Sequence, residues 1–373
     1  MAAGLDDAKV QDLLERARRD VDEGLLPSCQ LALARDGELV LDEAMGDASV
    51  DTRYVIFSCT KAIVAGAVWL LTGEGVLDPC QKVADLIPEF GTNGKDVVTV
   101  DQVLQHTSGF PRAPMGPEVW GERQRRVERF SEWRLNWEPG TQHEYHPTSA
   151  HWVLAELVER LSGIDYRAFI HERVALPLGL PGMRVGVPPD EQDNIAMLVP
   201  TGAAPDPDEL EKLFGFREFP LGEVTEENLL HFNQPDVRAV GVPGGGGVAR
   251  AADLALYYQA LMHNPGRLWD PEVLADGTGH VRNTFPDPLT GVPANRTRGL
   301  VVAGDDGLSF GRGMGRTVSP LAFGHNGAGG QVAWADPGTG LSFCYLTNGL
   351  DANLLRQWRR GTSLASRAAV CAV

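Results

Sequence analysis

Cysteine is scarce in this chain and nowhere paired in sequence. Its five cysteines (Cys29, Cys59, Cys80, Cys344 and Cys371) form no Cys-x-x-Cys and have no histidine-rich neighbourhood. That argues for reduced thiols in a cytoplasm and against a disulfide framework. Long hydrophobic runs are missing too. The longest stretch noted, Ala62 to Leu71, is too short to cross a bilayer. Met1 to Asp7 has neither a basic patch nor an apolar core, so no secretory signal is expected and a cytoplasmic location is predicted. Basic residues are in the minority, 33 against 50 acidic, for a net charge of -17. Such a surface repels nucleic acid and anionic membranes. There is no internal repeat and no low-complexity segment. Gly244–Gly247 is not followed by the Gly-Lys-Ser/Thr of a phosphate loop, so no nucleotide is expected. His143 and His146 stand three apart with Pro147 directly after, which is the wrong spacing for a zinc helix. Neither metal nor cofactor is expected.

What is present is enough apolar material, 43% of 373 residues, for a large core. Residues 5–22 carry apolar positions at helical spacing. Cys29 to Arg35 and Glu38 to Ala44 alternate around Asp36-Gly37, a strong two-residue hairpin signal. Helical patterns at 101–106, 150–161 and 164–172 are separated by long loops, and 110–122 and 183–222 read as irregular. The aromatic piece Leu213–Phe219 could line a pocket or simply pack. A helix at 251–262 precedes strand-like runs at 299–303, 321–324, 331–335 and 341–347, and a last helix covers about 353–369. Strands at both chain ends with helices between predict an α+β fold. Its antiparallel sheet is flanked by helices and built from residues 1–75 and 240–373. A mainly helical domain is inserted at 76–239, with the active site between the two.

The most informative feature is Phe57-Ser58-Cys59-Thr60-Lys61, which opens the apolar run. A serine and a lysine three apart on a first helical turn share one face. The helix that follows is apolar all round, so the lysine is carried into the core. Desolvation lowers a lysine's pKa, and the amine can then act as a base toward the serine. Cys59 reads as a small buried filler.

Two further segments complete a pattern. One is Trp137 to Ser149, containing Tyr145-His146-Pro147; the other is Phe323 to Gly330, containing His325-Asn326-Gly327. With Ser58-x-x-Lys61, with Leu104-Gln105-His106-Thr107-Ser108-Gly109 and with Gly244–Gly247, the chain resembles the serine β-lactamase and penicillin-binding-protein superfamily over nearly its whole length. Class C β-lactamases and family VIII carboxylesterases are the nearest look. The resemblance implies that Ser58 is the acylated nucleophile and that Lys61 shares its proton network. It implies that Tyr145 is general base on Ser58 and then acid for the leaving group. The amides of Ser58 and Ala328 would form an oxyanion hole, one at a helix start and one on a strand edge. His325, Asn326 and Gly327 would contact substrate. A phenolate on Tyr145 would be favoured by the neighbouring ammonium.

Two departures matter. Pro147 stands where the family often has Asn, and His325 replaces a fixed lysine cation with a group that ordinarily titrates near ~6.5. Both weaken the case for β-lactam hydrolysis, whereas an uncharged ester needs only nucleophile, proton relay and oxyanion hole. The expectation is a carboxylesterase acting on short to medium acyl esters through a Ser58 acyl-enzyme. The alternatives are β-lactam or D-amino-acid peptide hydrolysis, acyl transfer, and a non-catalytic binding relative. Gly361 to Ala365 imitates a nucleophile elbow but falls in the terminal helix, and Arg123 to Arg129 reads as a solvated helical face.

Overall fold

The computed structural model describes residues 4–373. Met1–Ala3, part of the stretch read for a leader, lie outside the described residues. The central sheet has six strands: β1 (Ser28–Arg35), β2 (Glu38–Gly46), β3 (Val301–Val302), β4 (Phe323–Gly324), β5 (Val332–Asp336) and β6 (Leu341–Thr347). Their order is β2-β1-β6-β5-β4-β3, antiparallel throughout. Both chain ends therefore build one sheet, as the sequence predicts. Asp36 (φ 54°) and Gly37 (φ 81°) turn the first hairpin in the left-handed region that their residue types tolerate.

Both faces of the sheet are covered, which is why β1, β5 and β6 are buried along nearly their whole length. One face is coarse: Leu31, Leu33, Trp334 and Phe343 pack with Leu13 of α1 (Asp7–Asp22) and with Leu364 of the C-terminal helix Leu354–Ala368. The other face is fine-grained. Ala32, Ala34, Ala333 and Ala335 let the helix Ala251–His263 lie close to the strands. The buried charge Arg360 ties the coarse face together, donating to Asp20 at 2.5 Å and Asp351 at 2.8 Å.

Beneath the fine face lies α2 (Thr60–Gly73), buried from Thr60 to Leu71. It packs on α3 (Ser149–Ser162), and Ser58 and Tyr145 lie just ahead of these two helices. The region 183–222 is less irregular than its composition suggests. Pro207–Phe214 is a helix capped by Asp206, whose carboxylate accepts from the Asp208 amide at 2.8 Å. The basic cluster 123–129 is a helix, but it is not simply solvated. Arg123 grips Glu156 of α3 with two hydrogen bonds, at 2.8 and 3.0 Å, and Arg126 is buried over the Trp152 ring.

Candidate active site

Ser58 sits in a tight 3-10 turn, Phe57–Cys59, directly before α2. The turn is strained: Phe57 has φ 44°. Such a conformation persists only where its surroundings enforce it. Here the Phe57 ring meets Phe232 edge-on at 5.6 Å, and the amide of Ile56 donates to the Gly247 carbonyl at 2.9 Å. Ser58 is half-buried.

Lys61 is fully buried, and its amine lies 3.1 Å from the Ser58 hydroxyl. It also donates to the carbonyls of Pro147 and Gly244, each at 2.6 Å. Burial, helped by the Arg296 guanidinium, holds its pKa well below the ordinary lysine value, while Glu223 pulls it the other way. The glycine run is therefore a structural necessity of the lysine site. A Cβ at Gly244 would stand 2.6 Å from the Pro147 carbonyl oxygen, and one at Gly247 would stand 2.6 Å from the Thr60 hydroxyl.

Tyr145 arrives on the segment leading into α3. Its ring is approached by two cations, Lys61 at 5.0 Å and Arg296 at 5.2 Å from the centroid. Its hydroxyl is buried and closes no hydrogen bond, although Ser58 is near enough to ease its ionisation. Burial outweighs both Arg296 and Ser58 and pushes the phenol up to about 12. The expected phenolate is thus corrected. At neutral pH Tyr145 keeps its proton, because the low-dielectric site penalises the anion more than its neighbours reward it.

His325 follows β4. Its amide donates to the Ala333 carbonyl at 3.1 Å and to the Tyr258 hydroxyl at 3.0 Å. Its Nδ1 lies 2.8 Å from the Asn326 carbonyl, which fixes the proton there and leaves Nε2 without a partner. Burial, Arg296 and Lys61 together hold its pKa well below the usual histidine range. The ring is a neutral group, not one poised near neutrality. Asn326 turns its side chain inward, donating to the Gly313 carbonyl and accepting from the Ala333 amide.

Ala328 lies in a 3-10 turn, Ala328–Gly330, between β4 and β5 rather than on a strand edge. This turn packs against the Ser58 turn. Gly327 allows the approach, since a Cβ there would stand 2.5 Å from the Ile56 carbonyl oxygen. Gln331 fastens the pair, donating to the carbonyls of Val55 (3.1 Å) and Thr347 (2.9 Å). Neither the Ser58 nor the Ala328 amide donates to any group among the described residues. Beside Ala328 an apolar cavity of about 450 Å³ opens, walled by Phe214, Phe219, Leu221, Leu289, Leu355 and Trp358. The aromatic piece read as a possible pocket wall is one. The irregular stretch 110–122 is not: it contributes core residues such as Phe110 and Met115.

Sequence reasoning missed Arg296. It carries no motif, and it is 8% exposed, with no hydrogen bond or ion pair to its guanidinium among the described residues. Four histidines behind Tyr145, namely His106, His143, His146 and His151, are also buried. All are pushed down chiefly by burial, His143 and His146 to about 3. No group of three or more metal-ligating side chains is arranged around an ion site among the described residues.

The β-lactamase family model matches residues 10–365, and the chain belongs to that family. It is a serine hydrolase of the β-lactamase and penicillin-binding-protein type. Among relatives, it is similar to an esterase/β-lactamase, LipL, of Mycobacterium tuberculosis, with 28% identity over 351 residues, covering 86% of this chain and 76% of that protein. Its fold is similar to a penicillin-binding-protein homologue from Caulobacter crescentus (TM-score 0.80, 26% identity, 98% of this chain and 99% of the other). It is also similar to a family VIII carboxylesterase (TM-score 0.77, 25% identity, 98% and 99%). No helix among the described residues is long and apolar enough to cross a membrane.

Proposed function

We propose that the protein is a carboxylesterase that cleaves short to medium acyl esters through a Ser58 acyl-enzyme. The observation that carries this reading is the 3.1 Å contact between the Ser58 hydroxyl and a buried Lys61 amine. In its neutral form that amine has two N–H groups, and the carbonyls of Pro147 and Gly244 take both. The remaining lone pair then points at the Ser58 hydroxyl. Lys61 withdraws the proton as Ser58 Oγ bonds to the ester carbonyl carbon. The oxyanion that forms is met by the unengaged amides of Ser58 and Ala328. Tyr145, still protonated, gives its proton to the departing alkoxide and recovers one from Lys61. Water then repeats the sequence on the acyl-enzyme, releasing the acid and restoring Ser58.

The neutral His325, the absence of a side-chain amide at Pro147 and the apolar cavity beside Ala328 favour an ester with an apolar arm over a β-lactam. In this reading residues 1–75 and 240–373 form one domain, 76–239 the second, and the cleft lies between them. The cytoplasmic setting belongs to the same proposal. Acyl transfer to an alcohol uses the same intermediate and is read by product partitioning. The test is hydrolysis of 4-nitrophenyl acetate and butyrate, with intact mass to catch the acyl adduct. Loss of turnover and adduct in Ser58→Ala is expected; equal rates in the two proteins would refute the reading.

A further inference from the structure

Arg296 carries a buried charge that no ion pair among the described residues balances. Burying a guanidinium without a counter-ion is costly, and natural proteins pair such groups. Tyr145 presents its ring face to the guanidinium rather than its oxygen, and its phenol stays protonated. Asp287 accepts from the Leu289 and Thr290 amides at 3.0 Å through Oδ1 and holds Oδ2 3.9 Å from His143 Nε2; its charge favours the Arg296 guanidinium from a distance but makes no ion pair with it. His106, His143, His151 and His325 are neutral, and Lys61 has the same sign. Nη1 is buried without any partner.

The segment that carries Arg296 is a two-stranded loop. Asn283 pairs with Arg296 and Pro286 with Pro293. The tip of the same loop, Leu289 and Thr290, walls the apolar cavity. One short element thus brings a bare cation to Tyr145 and an apolar surface to the adjoining cavity.

We infer that Arg296 is the anion-binding group of this cleft, and that the esters it selects carry a carboxylate as well as an apolar arm. The inference rests on the ester reading above and narrows its substrate class. It replaces the expectation of a site that lost its fixed cation when His325 took the lysine position. The cation enters from another element, and guanidinium geometry suits a carboxylate through two parallel N–H donors.

The test compares two pairs of esters, one with the anion on the acyl side and one with it on the leaving group. These are monoethyl succinate against ethyl butyrate, and 4-carboxyphenyl butyrate against 4-carbamoylphenyl butyrate. In at least one pair the anionic ester should have the higher kcat/KM, by about tenfold, the scale of one charged hydrogen-bonded contact. That ratio should collapse in Arg296→Gln and be partly kept in Arg296→Lys. Preference for the neutral ester in both pairs would overturn the inference. So would a ratio unchanged in Arg296→Gln, which would leave Arg296 a positioning residue for Tyr145. The wild-type ratios decide even where a variant does not fold. Ser58→Ala separates the two levels: if it cleaves these esters at the wild-type rate, the ester reading itself has failed. Turnover that depends on Ser58 but ignores the carboxylate removes only the anion site.

Discussion

The Lys61 amine lies 2.6 Å from the main-chain carbonyl of Pro147, the residue standing where a side-chain amide is usual in this family. The proline contributes through its backbone. Its ring cannot donate to a substrate, yet its oxygen helps aim the lysine at Ser58.

Gly244 provides the other carbonyl, and its lack of a side chain lets the Pro147 segment pass close by. Gly244→Ala would push these two backbones apart and tilt the Lys61 amine. We expect kcat to fall roughly 10²-fold, the scale of a misplacement of about 1 Å. Circular dichroism should stay close to wild type. An Ala variant with unimpaired kcat would show that the carbonyl pair does not aim the base.

Tyr145→Phe keeps the ring that Lys61 and Arg296 approach and removes only the hydroxyl. If the phenol protonates the leaving group, esters with poor leaving groups should lose about 10²–10⁴ in kcat, while activated nitrophenyl esters lose much less. Equal losses on both substrate types would argue against the acid role.

The pH dependence follows from Lys61. As the base it must be unprotonated, so kcat/KM should rise with pH along an acid limb lying below the ordinary lysine range. Glu223, bonded to Thr148 at 2.8 Å, favours the protonated amine. Glu223→Gln should therefore move the acid limb to lower pH. Arg296 disfavours the protonated amine, so Arg296→Gln should move the limb to higher pH. Shifts in the same direction for both variants would show that the limb does not report Lys61.

Acid should also weaken the fold. His106, His143, His146, His151 and His325 are buried and neutral, with pKa values below those of the unfolded chain. The unfolded state then binds more protons below pH ~6.5, and stability is lost as pH falls, at up to about 1.4 kcal/mol per pH unit for each histidine. Melting temperature should drop steadily between pH 7 and 5, and a flat profile would contradict the burial of these rings.

Arg360 offers a stability test away from the cleft. It is 1% exposed and bridges Asp20 of α1 to Asp351. Arg360→Leu takes one of two cations from each carboxylate, leaving Asp20 with Arg16 (3.1 Å) and Asp351 with Arg356 (2.6 Å), and should cost about 1.5–3 kcal/mol. Denaturant unfolding would measure it, and a loss under 1 kcal/mol would mean that Arg16 and Arg356 already balance the two carboxylates.

The hairpin, the two-ended sheet and the Ser58–Lys61 pair were legible because each has a local signature, whereas Tyr145 was reached only through the family resemblance. The signatures are a turn dipeptide, alternation, and a charge inside an apolar helix. Pro207–Phe214 and Pro271–Gly279 had one too, an Asp cap followed by Pro at the first helical position. That cue was lost in stretches whose Pro and Gly content suggested loop. Arg296 had none. Its significance lies in being unpaired, which is a property of the neighbours it meets in space. The protonation states were also beyond reach, because opposite-charge attraction could be guessed from sequence while the extent of burial could not.

The pairing of β1 with β6, Cys29 opposite Thr347, has a consequence for biosynthesis. During translation the first hairpin emerges long before its principal neighbour exists. Until the last strands leave the ribosome, the edge formed by Ser28–Arg35 has free backbone groups and apolar side chains on both faces. Premature termination anywhere in the middle region should therefore yield a sticky, protease-sensitive fragment and not a smaller working unit.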